Sequence, residues 1–477
     1  MDPVSKLHYL NLGQGGKFKS DGATSSTAAD VDALFQHLVT APHKKLILHF
    51  HGGLVSEENG LKIARKMAEN YKDTGHAYTF VWETGLVETL LASFDKVQET
   101  GLFQELKKVV VRKVCEKLGI EETGARGSAP LDATQVDQEL SAPRPFERME
   151  ARARGGAEKI EESRLPMLEL QIEAELEEEL DGRADLQKML QPGTPDGQRG
   201  IAMAFLANLA RIVIRVIRRY IRKREHGLLA TTVEEILREF YVAEIGTLIW
   251  DAMKEKARNG MWMPNTGLQN DERHGGFYFL EKLDAFLGAN PGWTVDLVGH
   301  SAGSIAICHM LRAAHEHGFN QIKARWILLL APACRTKLFY EQVVRHPERF
   351  EKIRMFTMTD DCEQTDHLAS LAYPRSLLYL VSGILESNKY PDETDDLEGD
   401  GDFFILGLMR QFSDRPYYQK SEVLQEVRRF FDTGDRLVLS PCDIAAPIPG
   451  AFCRSEKHGN FDNDEPTLAS LAFLLGQ

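Results

Sequence analysis

The chain has 477 residues, of which 43% are hydrophobic and 27% charged, a composition typical of soluble globular proteins. Its net charge of −14 at pH 7 argues against nucleic acid as the main partner, because phosphate binding needs a basic surface. The six cysteines form no CxxC pair, and the chain has neither a signal-like N-terminus nor about 18 consecutive apolar residues. We therefore expect a cytoplasmic protein with reduced thiols and no transmembrane helix.

The first 80 residues alternate between strand and helix patterns. They predict strands at Leu7–Leu10, Leu46–Leu48 and Ala77–Trp82, with helices after the possible N-cap Thr27 and over Glu57–Tyr71. The glycine-rich turn at 13–16 lacks the pattern of a phosphate-binding loop, so a plain turn is the preferred interpretation. The second strand ends in His51-Gly52-Gly53, which on its own would indicate a glycine turn.

A region of different composition follows. A helix is predicted around Leu86–Leu118, then a mobile, Gly- and Pro-rich loop around 121–150, then an acidic helix over 157–190. Alternating strands and helices resume near residue 270. We therefore predict a core of residues 1–85 and 271–477, interrupted by a helical insertion at 86–270.

Residues 201–226 form a basic amphipathic segment inside the insertion. Arg211, Arg215, Arg218 and Arg222 recur at helical spacing, and apolar residues fill another face. Such a helix can lie on an anionic membrane or cover a lipid site as a lid. The alternative is that its arginines pair with the acidic helix before it, as most surface charge runs do.

The most informative stretch runs from Trp293 to Leu311. A short apolar run ends in Gly299-His300-Ser301-Ala302-Gly303, and helix-forming residues follow. A strand, a tight turn with glycines around a serine, and a helix together make a nucleophile elbow. The turn leaves the serine over a helix N-terminus, where backbone N–H groups favour an oxyanion.

Three further strands and a terminal helix complete the pattern. Strands are predicted at Arg325–Leu330, Lys352–Met358 and Arg436–Leu439, and a terminal helix at Pro466–Leu475. The acidic segment 392–402 lacks the spacing of an EF-hand and is predicted to be a solvated loop.

Serine needs a base within hydrogen-bond reach, and the base needs an orienting carboxylate. His458 lies between the last strand and the last helix, and carboxylates follow the strand that ends at Met358. Asp361 is the first choice for the acid and Asp360 the alternative, while Glu363 and Asp366 lie farther from the strand end. His49 and His51 are expected to stabilise their turn.

The chain resembles the α/β-hydrolase-fold serine hydrolases of the lipase/esterase kind. The resemblance rests on HFHGGL at 49–54, LVGHSAG at 297–303, an acid after MFTM at 355–358, and KHGNFD at 457–462. It implies an α/β fold with a mostly parallel sheet flanked by helices, and a triad of Ser301, His458 and Asp361. It also implies an oxyanion hole of the backbone N–H groups of Ala302 and of Gly53 or Leu54.

The expected activity is hydrolysis of carboxylic esters through an acyl-enzyme, with lipid or other hydrophobic esters as the first choice of substrate. No metal or cofactor is expected. A peptidase or amidase on the same triad is one alternative. The other is a membrane- or protein-binding effector in which the helical insertion controls the hydrolase core. The sequence does not indicate an oligomeric state.

Overall fold

The computed structural model of the chain describes most of its length. The described residues are 4–19, 21–53, 55–82, 100–124, 127–181, 195–240, 243–269, 272–368, 373–399, 401–442 and 447–477. Leu54, the start of the helix predicted at Leu86–Leu118, and the end of the one predicted over 157–190 lie outside these residues.

An open parallel sheet forms the centre of the molecule. Its seven strands are β1 (Tyr9–Leu12), β2 (Lys45–Phe50), β3 (His76–Trp82), β6 (Thr294–His300), β7 (Ala324–Leu330), β8 (Phe350–Met358) and β9 (Leu437–Ser440). They lie in the order β1-β3-β2-β6-β7-β8-β9, and every neighbouring pair is parallel. The predicted α/β class with a parallel sheet is thus confirmed.

Helices connect and flank these strands. In the N-terminal part and the insertion they are α1 (Ala28–Val39), α2 (Glu57–Tyr71), α3 (Gly101–Lys117), α4 (Ala133–Leu140), α5 (Glu150–Ala157), α6 (Leu165–Asp181), α7 (Pro195–Ile221), α8 (Leu228–Phe240) and α9 (Ala243–Glu255). In the C-terminal part they are α10 (Gly275–Ala289), α11 (Gly303–Glu316), α12 (Thr336–Phe339), α13 (Asp360–Thr365), α14 (Leu377–Leu380), α15 (Glu422–Asp432) and α16 (Glu465–Gly476).

The strands bury both of their faces. In β2, Leu46, Leu48 and Phe50 join the larger hydrophobic core, whereas Ile47 faces a second core with Met67 of α2. Side chains of a strand alternate between its two faces, so a continuous apolar run fits a strand covered on both sides. This explains why the central strands are recognisable as uninterrupted runs of Leu, Ile and Val.

One buried charge interrupts the central strand β6. Asp296 is fully buried and accepts hydrogen bonds from the Arg325 guanidinium and from the backbone N–H of Trp326, the latter at 3.1 Å. Burial raises the pKa of Asp296, and Arg325 opposes that rise. The contact ties β6 to β7 at the start of the two strands, beside a register shift between Val295 and Asp296.

The chain changes direction in the sheet between β2 and β6. From β2 it moves outward to β3, and after the insertion it returns to β6 and continues to the opposite edge through β7, β8 and β9. In open α/β sheets, ligands bind outside the carboxyl ends of the strands at such a switch point. The HGG turn follows β2 and the GHSAG turn follows β6, so both motifs meet there.

The insertion is more regular than its sequence suggests. The segment 121–150, predicted to be a loop, contains a two-stranded antiparallel ribbon, β4 (Glu121–Gly124) and β5 (Gly127–Pro130), and the helix α4. Asp132 caps α4 in a capping box with Gln135, a local signal that the Gly and Pro content of the segment obscured.

The basic segment 201–226, which contains most of α7, pairs several of its charges within the molecule. Arg211 and Arg215 both contact Glu239 of α8 at 2.7 Å, and Arg222 and Lys223 contact acids of the preceding segment. Its apolar side chains, including Val213 and Ile217, are buried. Nowhere in the described ranges does a helix combine the length and apolar character needed to cross a membrane.

Candidate active site

The serine turn is held in an unusual backbone conformation. Ser301 lies between the end of β6 and the start of α11 with a φ of 51°, in the left-handed region that only a few non-glycine residues adopt. Its N–H donates to the Leu330 carbonyl at 2.9 Å, and its carbonyl accepts from the N–H of Ala333 at 3.0 Å. The turn is therefore fixed to the end of the neighbouring strand β7, and this offsets the local strain.

The two glycines of the motif allow close packing. A Cβ on Gly303 would lie 2.1 Å from the Phe50 carbonyl oxygen, and one on Gly299 would lie 2.6 Å from Cδ1 of Ile307. Neither glycine has a positive φ, and the left-handed residue is the serine itself. The GxSxG spacing here thus follows from how closely α11 approaches β2 and β6.

Ser301 and His458 form a hydrogen-bonded pair. The Ser301 hydroxyl and Nε2 of His458 are 2.9 Å apart, although 157 positions separate them in the chain. His458 starts a short 3₁₀ turn between β9 and α16, and both side chains are about 4% exposed. The sequence-based pairing of these two residues agrees with their positions in the fold.

The main chain of His458 is held from both sides. Its N–H donates to a carboxylate oxygen of Asp366 at 2.9 Å, and its carbonyl accepts from Nε2 of His300 at 3.0 Å. Nδ1 of His300 in turn lies 3.8 Å from the Asp462 carboxylate. The residue between Gly299 and Ser301 therefore positions the His458 backbone, a contact that the motif pattern alone did not indicate.

Neither predicted acid is hydrogen-bonded to His458. Both lie in the first turn of α13, which Thr359 caps directly after β8. Asp361 is exposed and its carboxylate has no hydrogen bond within the described residues, whereas Asp360 accepts from the Tyr379 hydroxyl at 2.7 Å and from Gln364 at 2.9 Å. Both carboxylates thus lie in the first turn of this helix without a contact to the His458 ring.

The second ring nitrogen of His458 has no partner. Nδ1 is buried and makes no hydrogen bond in the part of the chain that the structure describes. When Nε2 accepts the serine proton, the neutral ring carries its own proton on Nδ1, which is the atom that an orienting carboxylate would contact. The acid closest in the hydrogen-bond network is Asp366, whose carboxylate reaches the backbone of the same residue.

Burial keeps three histidines of this region neutral. It lowers the pKa of His458 to about 3, with His300 lowering it further. Burial likewise lowers the pKa of His49 to about 3 and that of His51 to about 4. A neutral imidazole can accept a proton at neutral pH, so His458 is in the protonation state that a general base requires.

The HGG turn lies directly against the serine turn. A Cβ on Gly53 would be 3.2 Å from that of Ala302, and one on Gly52 would be 3.5 Å from that of Ser301. Within the described ranges the N–H groups of Ala302 and Gly53 donate no hydrogen bond. Two such adjacent donors beside a nucleophile could stabilise an oxyanion. Leu54 lies outside the described residues, so its predicted role stays a prediction.

His51 stabilises the turn that it precedes, as predicted. Its Nδ1 donates to the Gly52 carbonyl at 2.8 Å, its Nε2 accepts from the Trp82 N–H at 3.2 Å, and its ring stacks on the Trp82 indole. These contacts fix the ends of β2 and β3 together. His49 is also buried, but its Nδ1 has no partner among the described groups.

The insertion contacts this site through α9. The Trp250 and Met253 side chains pack on Gly53, where an added Cβ would lie 3.0 Å from the Met253 sulfur. The Trp250 indole N–H donates to Glu386 at 2.8 Å. Sequence analysis missed both residues, since no local pattern shows which part of an insertion returns to the core.

A buried ionic cluster joins the end of α9 to the core. Lys254 contacts Glu386 at 2.9 Å and Glu393 at 3.3 Å, and Arg335, which follows β7, contacts Glu386 at 2.7 Å and also Glu398. Glu393 and Glu398 belong to the segment 392–402, predicted to be a solvated loop. That prediction was wrong for these residues, because basic groups distant in sequence neutralise them in the interior.

A scan against protein-family models, a search of curated proteins and a search of solved structures each found no match.

Proposed function

We propose that the protein is an α/β-hydrolase-fold serine hydrolase that cleaves carboxylic esters, with Ser301 as the nucleophile and His458 as the general base. The observation that carries this proposal is the 2.9 Å contact between the Ser301 hydroxyl and Nε2 of His458 at a strand–turn–helix junction. The junction also lies at the topological switch point of a parallel sheet, where such folds bind their ligands.

The chain order of the motifs supports the assignment to this fold class. The serine follows β6, the acidic candidates follow β8, and the histidine follows β9 before the last helix. Serine, acid and histidine occur in that order along α/β-hydrolase chains.

The reaction proceeds in two acyl-transfer steps. His458 accepts the Ser301 proton on Nε2 as the serine oxygen attacks the ester carbonyl, and the imidazolium then protonates the departing alcohol. In the second step His458 takes a proton from water, whose oxygen attacks the acyl-enzyme carbonyl. The bond to the Ser301 oxygen then breaks, the imidazolium returns its proton to that oxygen, and the carboxylic acid is released. Neither step uses a metal or a cofactor.

Ala302 and Gly53 stabilise the oxyanion in both steps. Their backbones are adjacent, and neither N–H is used elsewhere in the described structure. Donors that are already in position lose little energy in reorganisation when charge develops on the carbonyl oxygen, and one such donor contributes about 3 kcal/mol.

Asp366 supports the base by holding its backbone N–H at 2.9 Å. Asp361, the acid that the family resemblance implies, would need a different arrangement of α13 to reach Nδ1 of His458, because it is exposed here. Either carboxylate would stabilise the imidazolium that forms during acyl transfer.

A hydrophobic acyl or alcohol group is the preferred substrate feature. The apolar side chains of Trp250 and Met253 pack beside Gly53, so a substrate carbonyl held there would lie near them. A membrane contact through 201–226 stays a prediction. The pairing of Arg211 and Arg215 with Glu239 reduces the charge available for anionic lipids.

A fluorophosphonate probe tests the nucleophile. We expect stoichiometric labelling of the folded wild-type protein on the peptide that contains Ser301, and no labelling of Ser301→Ala or of heat-unfolded protein. Esters of p-nitrophenol with increasing acyl chain length then test the substrate preference.

Unlabelled wild-type protein with native circular dichroism would contradict the proposal, as would equal labelling of Ser301→Ala. A preference for the shortest acyl chains would retain the hydrolase assignment and overturn the hydrophobic-ester assignment.

A further inference from the structure

Two imidazoles and a carboxylate meet on the surface where the nucleophile helix ends. His315 lies in the last turn of α11, and His346 and Glu348 lie in the segment that leads into β8. One ligand atom from each of the three side chains lies within 4.8 Å of the other two. The two histidine rings are 4.4 Å apart between centroids, and Nδ1 of His346 is 3.0 Å from the Glu348 carboxylate.

The backbone that carries these side chains is already cross-linked. The buried Arg349 donates to the carbonyl of Phe319 at 2.7 Å and to that of Ala314 at 3.3 Å. Its own N–H donates to the His346 carbonyl at 3.0 Å. One arginine therefore connects the end of α11 to the His346 segment and keeps the three side chains close without help from a ligand.

The three side chains are free to bind a cation. The His315 side chain makes no hydrogen bond to any described group, and the only ion pair of Glu348 within the described ranges is with His346. The nearby Arg345 pairs with Glu341. The C-terminal end of α11 also carries partial negative charge, which favours a cation there.

We propose that His315, His346 and Glu348 form a binding site for a divalent transition-metal ion of the zinc type. Imidazole nitrogens and a carboxylate oxygen are ligands that zinc prefers, with solvent water as the fourth. Bonds of about 2.0–2.1 Å in a tetrahedral site separate the ligand atoms by about 3.4 Å. The His346–Glu348 pair is already at about that separation, and rotation of exposed side chains can bring in His315.

Such an ion would connect the C-terminal end of α11, the helix that begins beside Ser301, to the segment before β8. The site lies at the opposite end of α11 from the nucleophile, so it stabilises the scaffold and takes no part in the acyl-transfer steps. The inference does not depend on the proposed hydrolase activity.

Calorimetric titration with zinc chloride tests the site in the full chain, after removal of any affinity tag and dialysis against a chelator. We expect one saturable equivalent in the wild type, a rise in melting temperature on loading, and binding at least about tenfold weaker in His315→Ala and in His346→Ala. The matched control is His317→Ala, which removes a neighbouring exposed histidine outside the cluster and should leave binding unchanged.

The absence of a saturable equivalent in folded protein would overturn the site, as would undiminished binding by the double variant His315→Ala/His346→Ala. Equal weakening by His317→Ala would overturn it as well, because it would indicate general histidine affinity. Ser301→Ala should bind zinc like the wild type, so failure of the hydrolase proposal and failure of this one are separately visible.

Discussion

Two clusters of buried polar side chains in this molecule meet the free-energy cost of burial in different ways. The reactive cluster comprises Ser301, His458, His300, His49 and His51. Of these, His49, His51 and His458 have pKa values that burial lowers, and some ring nitrogens have no partner. The ionic cluster comprises Lys254, Arg335, Glu386, Glu393 and Glu398, in which each charge faces an opposite charge.

The difference shows what each cluster can do. Opposite charges in contact offset the cost of burial and fix one arrangement, so the ionic cluster holds the insertion on the core. A neutral imidazole with an unused nitrogen keeps the capacity to exchange a proton, so the reactive cluster is suited to chemistry. Glu386 connects the two regions, because it also accepts from Trp250, which packs on Gly53.

The largest effect should come from replacing the base. His458→Gln keeps a polar side chain of similar length but removes the proton acceptor, so kcat/KM for an ester should fall on the order of 10⁴-fold or more. The melting temperature should change little, because the ionic cluster is intact. Steady-state kinetics and calorimetry measure both quantities. Retention of a tenth of the wild-type activity would exclude His458 as the base.

Acid should unfold the protein through its neutral histidines. The unfolded chain binds a proton at each histidine below pH 6.5, whereas folded His49, His51 and His458 stay neutral to pH 3–4. Stability is therefore full above pH 6.5 and decreases as the pH falls towards 4, by up to about 1.4 kcal/mol per pH unit for each histidine.

Chemical denaturation at a series of pH values measures the slope of the unfolding free energy against pH. His49→Gln should reduce the slope, and the exposed His317→Gln should not. A slope in His49→Gln equal to that of the wild type would mean that His49 is charged in the folded state.

Breaking the ionic cluster should destabilise the fold strongly. Glu386→Gln leaves Lys254 and Arg335 with one carboxylate fewer in the interior, and removing one partner of a buried pair costs about 3–5 kcal/mol. Denaturant titration of the folded variant gives the change in unfolding free energy. A loss below 1 kcal/mol would show that water reaches these charges.

The carboxylate beside the base should have an intermediate effect. Asp366→Asn weakens the acceptor for the His458 N–H, and displacement of the ring should lower kcat by about ten- to a hundredfold with a smaller change in KM. Asp361→Asn is the competing variant, and a larger loss there would favour the acid implied by the family resemblance.

The pH–rate profile distinguishes an unpartnered Nδ1 of His458 from an Nδ1 that a carboxylate contacts. With Nδ1 unpartnered, the pKa of His458 is lowered to about 3, so the rate should stay level from pH 8 to about 5.5. A carboxylate that reaches Nδ1 in the substrate complex would raise this pKa, and the rate would then fall with a midpoint near 6–7.

The smallest effect should come from an exposed ion pair of the insertion. Glu162→Gln removes one partner of Arg222, and both side chains are at least two-fifths exposed, so the unfolding free energy should change by less than about 1 kcal/mol. Denaturant titration of Glu162→Gln and of Glu386→Gln compares the losses of unfolding free energy in the two variants. Equal losses would contradict the distinction between buried and exposed ion pairs.

Several elements were predictable because their signals are local. The apolar run before Gly299, the Thr27 capping box and the proline near the start of α16 each depend on a few adjacent residues. The proximity of Ser301 and His458, 2.9 Å apart in the structure, was also predictable, since their order relative to strands and helices restricts where they can lie.

Other parts depended on contacts between distant segments. The acidic segment 392–402 looked solvated because its own composition is acidic. Basic groups distant in sequence, among them Lys254, Arg258 and Arg335, make its burial tolerable. In the sequence analysis Asp366 ranked below Asp361 as the acid, because distance from the end of the predicted strand was the only criterion for that choice. The structure places the Asp366 carboxylate on the backbone N–H of His458 and leaves Asp361 exposed in α13, so the choice of Asp361 stays a prediction.

The sequence by itself determined the alternation of strands and helices and the identity of the serine turn, because hydrophobic periodicity and the Gly-x-Ser-x-Gly pattern each lie within a few adjacent residues. The tertiary structure decided which nitrogens and carboxylates surround His458, and which charges of the insertion are buried. Those outcomes depend on the order of strands in the sheet and on side chains more than 50 positions apart, which no local pattern encodes.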